Sequence, residues 1–297
     1  MEKRSFKERL INEYLGQGFA GVCGILIILI TISIIIFIAS KGIRIFTADG
    51  YSVTDFLFKS DWKPNKGGEP SFGALAFILG STAVSIGAVI LSAPIAIALA
   101  IFVNVISSKF GKKIIKPSLE ILVGIPSVVY GWVGISVLVP IIKNHFGGMG
   151  FSLIAGILVL SLMILPTIAT LSIDAITTIP QDHIEASYGL GATRWQTIYK
   201  VIVPGARTGI LTGVVLGIAR AFGEALAVQM VIGNTVKIPD NLFGSMATLT
   251  SIITMEMANS VGGTPENDAL WTLALILLVI SFIFIVIVRM IEKRSAV

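Results

Sequence analysis

Five stretches of this chain run for at least 20 residues without Asp, Glu, Lys or Arg: 14–40, 70–108, 121–142, 144–173 and 269–288. About 20 apolar residues suffice to cross roughly 30 Å of hydrocarbon as a helix. A sixth stretch, 208–236, is interrupted only by Arg220 and Glu224. In lipid every backbone polar group must be satisfied within the protein, so runs of this length fold as helices. Charged residues make up only 13% of the chain, against about 25% in soluble domains, too few to cover a globule in water. The expected fold is all-α, a polytopic membrane protein of six transmembrane helices. The boundaries read as an N-terminal segment 1–18, a first helix 19–40, an external loop 41–72, a core of five helices over 73–290 and a tail 291–297.

The first apolar core, 22–39, is longer than the 7–15 residues of a secretory signal, which predicts a retained signal-anchor helix. With six spans, fourteen Lys and Arg residues fall on one side and seven on the other, leaving Arg220 within a span. The side rich in basic residues is expected to be cytoplasmic, with both termini on it, although loop 41–72 carries five basic residues on the outside. Net charge of +5 therefore needs no nucleic-acid partner. Stretch 70–108 is expected to be one long helix near 73–104, kinked at Pro94. The lone Cys23 reads as a small buried hydrophobe.

Nothing in the chain suggests an enzyme. There is no phosphate-cradling G-x-x-x-x-G-K-[ST] loop. The two histidines, His145 and His183, fall on opposite sides of the membrane, and with one cysteine they make no metal cluster. No cofactor is expected, and energy for uphill transport must come from a partner or an ion gradient.

Residues 180–204 read PQDHIEASYGLGATRWQTIYKVIVP. Pro180 can open a helix carrying Ile184 and Tyr188 on one face, and Gly189 and Gly191 then break it. A second helix runs through Trp195, Ile198, Tyr199 and Ile202 and is expected to end at Pro204. By periodicity alone this is either an amphipathic hairpin lying on the membrane surface or a docking element for another protein. Glu185, Ala186 and Ser187, Gly191 after three residues, and Val201-x-Val203-Pro204 after nine more resemble the EAA motif of bacterial ABC-importer permeases, E-A-A-x3-G-x9-I-x-L-P. Ser187, Val201 and Val203 depart from it by small or aliphatic exchanges. Stretches 124–131 (GIPSVVYG), 164–170 (ILPTIAT), 190–197 (LGATRWQT) and 217–225 (GIARAFGEA) narrow the resemblance to phosphate-importer permeases of the PstC type, from about Phe72 to Arg289.

That resemblance implies a type I, MetI-like permease fold in a bacterial inner or plasma membrane. It implies a homologous second permease forming a heterodimer, a pair of ATPase subunits that the 180–204 loop engages, and an external phosphate-binding protein. It also implies that Arg220 and Glu224 matter for transport.

Read as one helix, stretch 208–236 places Gly209, Gly213, Gly217, Arg220 and Glu224 within roughly an 80° arc. The glycines form a small-residue ridge that lets a neighbouring helix approach closely, so both charges should face protein rather than lipid. One reading makes them a self-cancelling i,i+4 salt bridge. Such a pair gains only about 0.2–0.5 kcal/mol at an exposed site, whereas a central charge costs about 2.5–3.5 kcal/mol to insert. The other reading is functional. The Arg220 fork matches two phosphate oxygens, while Glu224 compensates it when the path is empty or accepts a hydrogen bond from the P–OH that phosphate retains and sulfate lacks. Ser127 and Tyr130, in the GIPSVVYG segment, are further pathway candidates, with ordinary close packing as the alternative. Glu120, after Pro117, reads as a first-turn acid, and Asp174 as an anchor at the end of the fourth span. Gln229 and Asn234 have no assignable role. Rival functions are an ABC permease for molybdate or sulfate, an ion-coupled secondary transporter or channel, and a membrane anchor or sensor.

Overall fold

The computed structural model describes residues 16–64 and 70–295. Residues 1–15, with the basic Lys3, Arg4, Lys7 and Arg9, lie outside the described set, as do Lys66 and the last two residues of the tail. Among the described residues, six helical runs are long and apolar enough to cross a membrane: Gly16–Thr47, Leu75–Ile106, Ser127–Phe146, Leu153–Thr177, Arg194–Gly223 and Pro265–Ile291. They are called the first to sixth spans below.

The fourth span is the centre of the bundle. It buries residues on every face, from Leu153 to Ile176, and is started by Ser152, whose side chain accepts from the Ala155 N–H. The second span packs on it most extensively because of a row of small residues at four-residue spacing. Ala76, Gly80, Val84, Ala88, Ser92, Ala96 and Ala100 are all buried. Small residues in this pattern let two backbones approach, and close packing is the main attraction available between helices in lipid. Pro94 sits inside this helix without ending it.

The fifth span also packs on the fourth, through its glycines. A side chain at Gly213 would meet Leu171 Cβ at 3.1 Å and one at Gly217 would meet Ile168 Cδ1 at 2.7 Å, while one at Gly209 would overlap Ala175 Cβ. The small-residue ridge expected from sequence is therefore present, and its partner is the fourth span.

The first span stands apart. Its helix, Gly16–Gly42, buries only Gly42, and it joins the bundle at that end. Phe37 meets Trp271 edge to face at 5.3 Å, and Thr272 Oγ1 donates to the Gly42 carbonyl at 2.7 Å. After it, the described residues of 43–74 fold into a small cap. Its antiparallel pair Trp62↔Phe72 encloses a core of Ile45, Phe56, Trp62, Phe72 and Phe77. Arg44 Nε lies 3.4 Å from Asp268 Oδ2, tying the cap to the buried first turn of the sixth span.

Two sequence expectations change here. Glu120 is not in a first helical turn, because after Ser107 the chain is helical again from Ser108 through Gly124. The helix through Trp195 does not end at Pro204 but runs on unbroken to Gly223. The turn Ile198–Ile202 is widened, so that the Val203 N–H reaches back to the Ile198 carbonyl. This π-type turn makes room for the ring of a residue that has no N–H to place.

Candidate functional site

The fifth span stops at Gly223. Glu224 is extended (φ −76°, ψ 124°), and a new short helix, Leu226–Ile232, follows. Arg220 and Glu224 therefore do not share a helix: the expected single helix over 208–236 is corrected, and the reading of the two as a self-cancelling intrahelical pair fails. Glu224 Oε1 instead accepts from the Ala227 N–H at 3.0 Å. A carboxylate there satisfies a backbone donor that the first turn leaves unpaired and complements the positive end of the helix. Arg220 turns the other way, and its Nη1 donates to Thr167 Oγ1 of the fourth span at 2.8 Å. Among the described residues no carboxylate pairs with this guanidinium.

The third span is interrupted as well. The helix Lys116–Gly124 ends, Ile125 and Pro126 are extended, and Ser127–Val133 begins again. Pro126 accounts for the break, since the residue before a proline is driven out of the helical region. Tyr130 Oη bridges it by donating to the Leu122 carbonyl at 2.9 Å. Ser127 is the first residue of the restarted helix and is half-buried. The two restarted helices pack together at Gly131, where any side chain would meet Met230 Sδ at 2.6 Å and Ala227 Cα at 3.0 Å. Tyr130 is within electrostatic range of the Arg220 guanidinium. Irregular backbone within a membrane protein is tolerated where it is buried in protein or lines a cavity, and it brings unpaired backbone dipoles to the site.

Glu224 also lines a small cavity of about 10 Å³, together with Ser81, Ser85, Thr248 and Thr250. Ser81 Oγ also accepts from the Leu249 N–H at 2.9 Å, so the chain after the fifth span folds back onto the second span there. The cavity is about the size of one water and too small for an oxyanion. Arg220, Glu224, Ser127 and Tyr130 thus fall in one region at two helix breaks, with the two charges facing different surroundings. Gln229 lies mid-way along the short helix and Asn234 just beyond its end, where the Asn234 amide donates to the Gln229 carbonyl at 2.9 Å.

The segment 181–197 is a hairpin. Its first helix is Gln181–Gly189, Gly191 turns with φ +78°, and Thr193 and Gln196 form a capping box that starts the second helix. Only Gly191 takes the left-handed conformation that glycine permits. Ser187 Oγ and Thr197 Oγ1 join the two arms at 3.0 Å. Glu185 and Ala186 are exposed, as are Leu190 (90%), Trp195 (70%) and Tyr199 (67%), an unusual density of large apolar side chains on one protrusion. Arg194 Nη2 donates to the carbonyls of Val105 and Ile106 at the end of the second span.

Three of these contacts were missed from sequence. Thr167 lies in the ILPTIAT stretch, but nothing local points it at Arg220. Arg194 counts only as a loop charge until the fold places helix-end carbonyls beside it. Asp174 was expected to anchor its helix; its partner is Lys116, with Nζ 2.9 Å from Oδ1. That bond raises the Lys116 ammonium above its ordinary value.

Compared with known families, residues 92–297 match "Binding-protein-dependent transport system inner membrane component". The chain is 48% identical over 294 residues to the "Probable ABC transporter permease protein YqgH" of Bacillus subtilis (strain 168), covering 99% of this chain and 95% of that one. It is 34% identical over 269 residues to the "Phosphate transport system permease protein PstC" of Pasteurella multocida (strain Pm70), covering 84% and 82%. Among solved structures it resembles a chain of a bacterial alginate ABC transporter in complex with its alginate pentasaccharide-bound periplasmic protein. The TM-score is 0.67 at 14% identity, over 98% of both chains. That likeness is one of fold.

Proposed function

We infer the function from one premise: the chain belongs to the family of binding-protein-dependent transport-system inner membrane components. It is a permease subunit of an ATP-driven inorganic phosphate importer, as its identity to phosphate permeases over most of its length supports. The hairpin within 180–204, with Glu185, Ala186 and Ser187 on its first arm, Gly191 at its turn and Pro204 in the helix beyond, docks a separate ATPase subunit. Hydrolysis belongs to that partner. A second, homologous permease completes the membrane path, and an external phosphate-binding protein delivers the substrate. The hairpin and both termini lie in the cytoplasm. The boundaries are a first helix 19–40, an external loop 41–72 and a core over 73–290.

One observation carries the substrate reading. Arg220 is a guanidinium in a membrane span whose partner among the described residues is one hydroxyl, with no acid paired to it there. A cation within a membrane span without a counter-ion is costly, and an oxyanion in transit supplies the missing charge. The fork retains donors for phosphate oxygens after the Thr167 bond. Tyr130 and Ser127, at the break in the third span, line the same path, and Glu224 holds the break in the fifth.

ATP-driven uptake of labelled phosphate into vesicles holding the whole complex tests this, with Arg220→Gln beside the wild type and assembly and ATP hydrolysis checked in both. Loss of uptake in an intact, hydrolysing complex is expected. Wild-type uptake in the variant would overturn the assignment.

A further inference from the structure

We propose that Arg194 is the positioning residue that fastens the coupling hairpin to the second span, so that movement of the hairpin reaches the second and fourth spans as well as the fifth. The proposal rests on reading the hairpin as the ATPase-docking element. Among the described residues, the polar contacts between hairpin and second span are the two made by Arg194 Nη2, to the carbonyls of Val105 and of Ile106, the latter at 3.1 Å. Both carbonyls belong to the last turn of the second span, before Ser107 leaves the helical region (φ −138°, ψ 70°). Carbonyls at a helix C-terminus lack intrahelical donors and carry the negative end of the dipole. A guanidinium answers both needs with one side chain.

The clamp is held on each side. The Thr193–Gln196 capping box fixes the backbone from which Arg194 projects. Next to the accepting carbonyls, the Asn104 amide donates to the Ile173 carbonyl at 3.0 Å, and Thr177 Oγ1 donates to Asn104 Oδ1 at 3.0 Å. Pulling on Val105 and Ile106 therefore pulls on the end of the fourth span, which carries Thr167 and through it Arg220. On the hairpin itself, Ser187 joins the exposed first arm to Thr197 and so to the Arg194 helix. Without Arg194 the hairpin has, among the described residues, no polar hold on the second span, and its movement reaches the bundle through the fifth span.

The test is the number of phosphate ions transported per ATP hydrolysed, measured with the complete complex in vesicles. Arg194→Gln is expected to assemble, to keep ATP hydrolysis within about threefold of wild type, and to lower the transport ratio at least fivefold. Arg194→Lys keeps the charge without the fork and is expected to fall between. An unchanged ratio in an assembled Arg194→Gln complex overturns the proposal. Should Arg194→Gln fail to assemble, Arg194→Lys decides: a lowered ratio supports the clamp, and an unchanged ratio or failed assembly there too overturns it in favour of a folding role. Ala186→Asp on the exposed arm separates the underlying reading. Wild-type ATP-driven uptake in that variant would sink the docking assignment itself, whatever Arg194 does.

Discussion

Arg220 reaches Thr167 on the neighbouring span at 2.8 Å, while Glu224, four residues further along the chain, binds the backbone of Ala227. The hydroxyl holds one edge of the guanidinium and leaves the rest of the fork unoccupied. Thr167→Val removes that hold without removing the charge. A hydrogen bond to a charged group is worth about 1.5–3 kcal/mol, so phosphate uptake should drop roughly tenfold. Thr167→Ser should stay within about threefold of wild type. Equal uptake in Thr167→Val and wild type would show that the guanidinium orients itself without help.

Glu224 should divide its two substitutions by stability. Gln retains an oxygen for the Ala227 N–H, whereas Ala leaves the helix start uncapped, a loss of about 0.5–2 kcal/mol. Thermal unfolding in detergent should therefore place Glu224→Gln near wild type and Glu224→Ala below it. If both fall equally, the negative charge rather than the cap holds the segment.

The glycine ridge predicts an unequal response to the same change. At Gly217 an added methyl meets the far end of the flexible Ile168 side chain, but at Gly209 it meets Ala175 Cβ, which cannot rotate away. Overpacking costs about 1–3 kcal/mol where neighbours cannot yield. Gly209→Ala should lower expression and melting temperature clearly more than Gly217→Ala. The reverse order would mean that the fourth and fifth spans pack in another register.

Glu256 gives a dependence on pH. Burial pushes its carboxyl above the ordinary 4.5; the Trp62 hydrogen bond opposes this, and nearby Glu266 adds to the rise. A carboxyl with a raised folded pKa binds its proton more tightly when folded. Its stabilising contribution is complete below the unfolded value and is lost as pH rises through the folded one. Wild type should therefore gain stability as pH falls from neutrality towards 4.5. Glu256→Gln should be flatter over that window and more stable at pH 7. Parallel profiles for the two would remove Glu256 as the source.

How much of this could be read from the sequence depends on the range of the interaction. The six spans were legible because apolar length is a local property, and Arg220 stood out because a charge in such a run needs a reason. The break in the third span was signalled by Pro126. The break after Gly223 was not, because GIARAFGEALA reads as continuous helix and the Glu224 cap is a choice between two locally allowed structures. Pro204 misled in the opposite direction, since the widened turn before it absorbs a residue that usually ends helices. Thr167 and Arg194 find their partners 53 and 88–89 residues away, and no spacing rule reaches so far.

The unbroken helix from Arg194 to Gly223 has 30 residues, a rod about 45 Å long at 1.5 Å per residue. Tilting such a rod by about 10° at one end sweeps the other sideways by about 8 Å, so small angular changes at the hairpin become large linear ones beside Glu224. The widened turn Ile198–Ile202 interrupts the regular helix close to the hairpin, where a bend costs almost none of the arm's reach. The gearing between the two ends is thus set by helix length, and an insertion of a few residues between Pro204 and Gly209 would change it without touching either end.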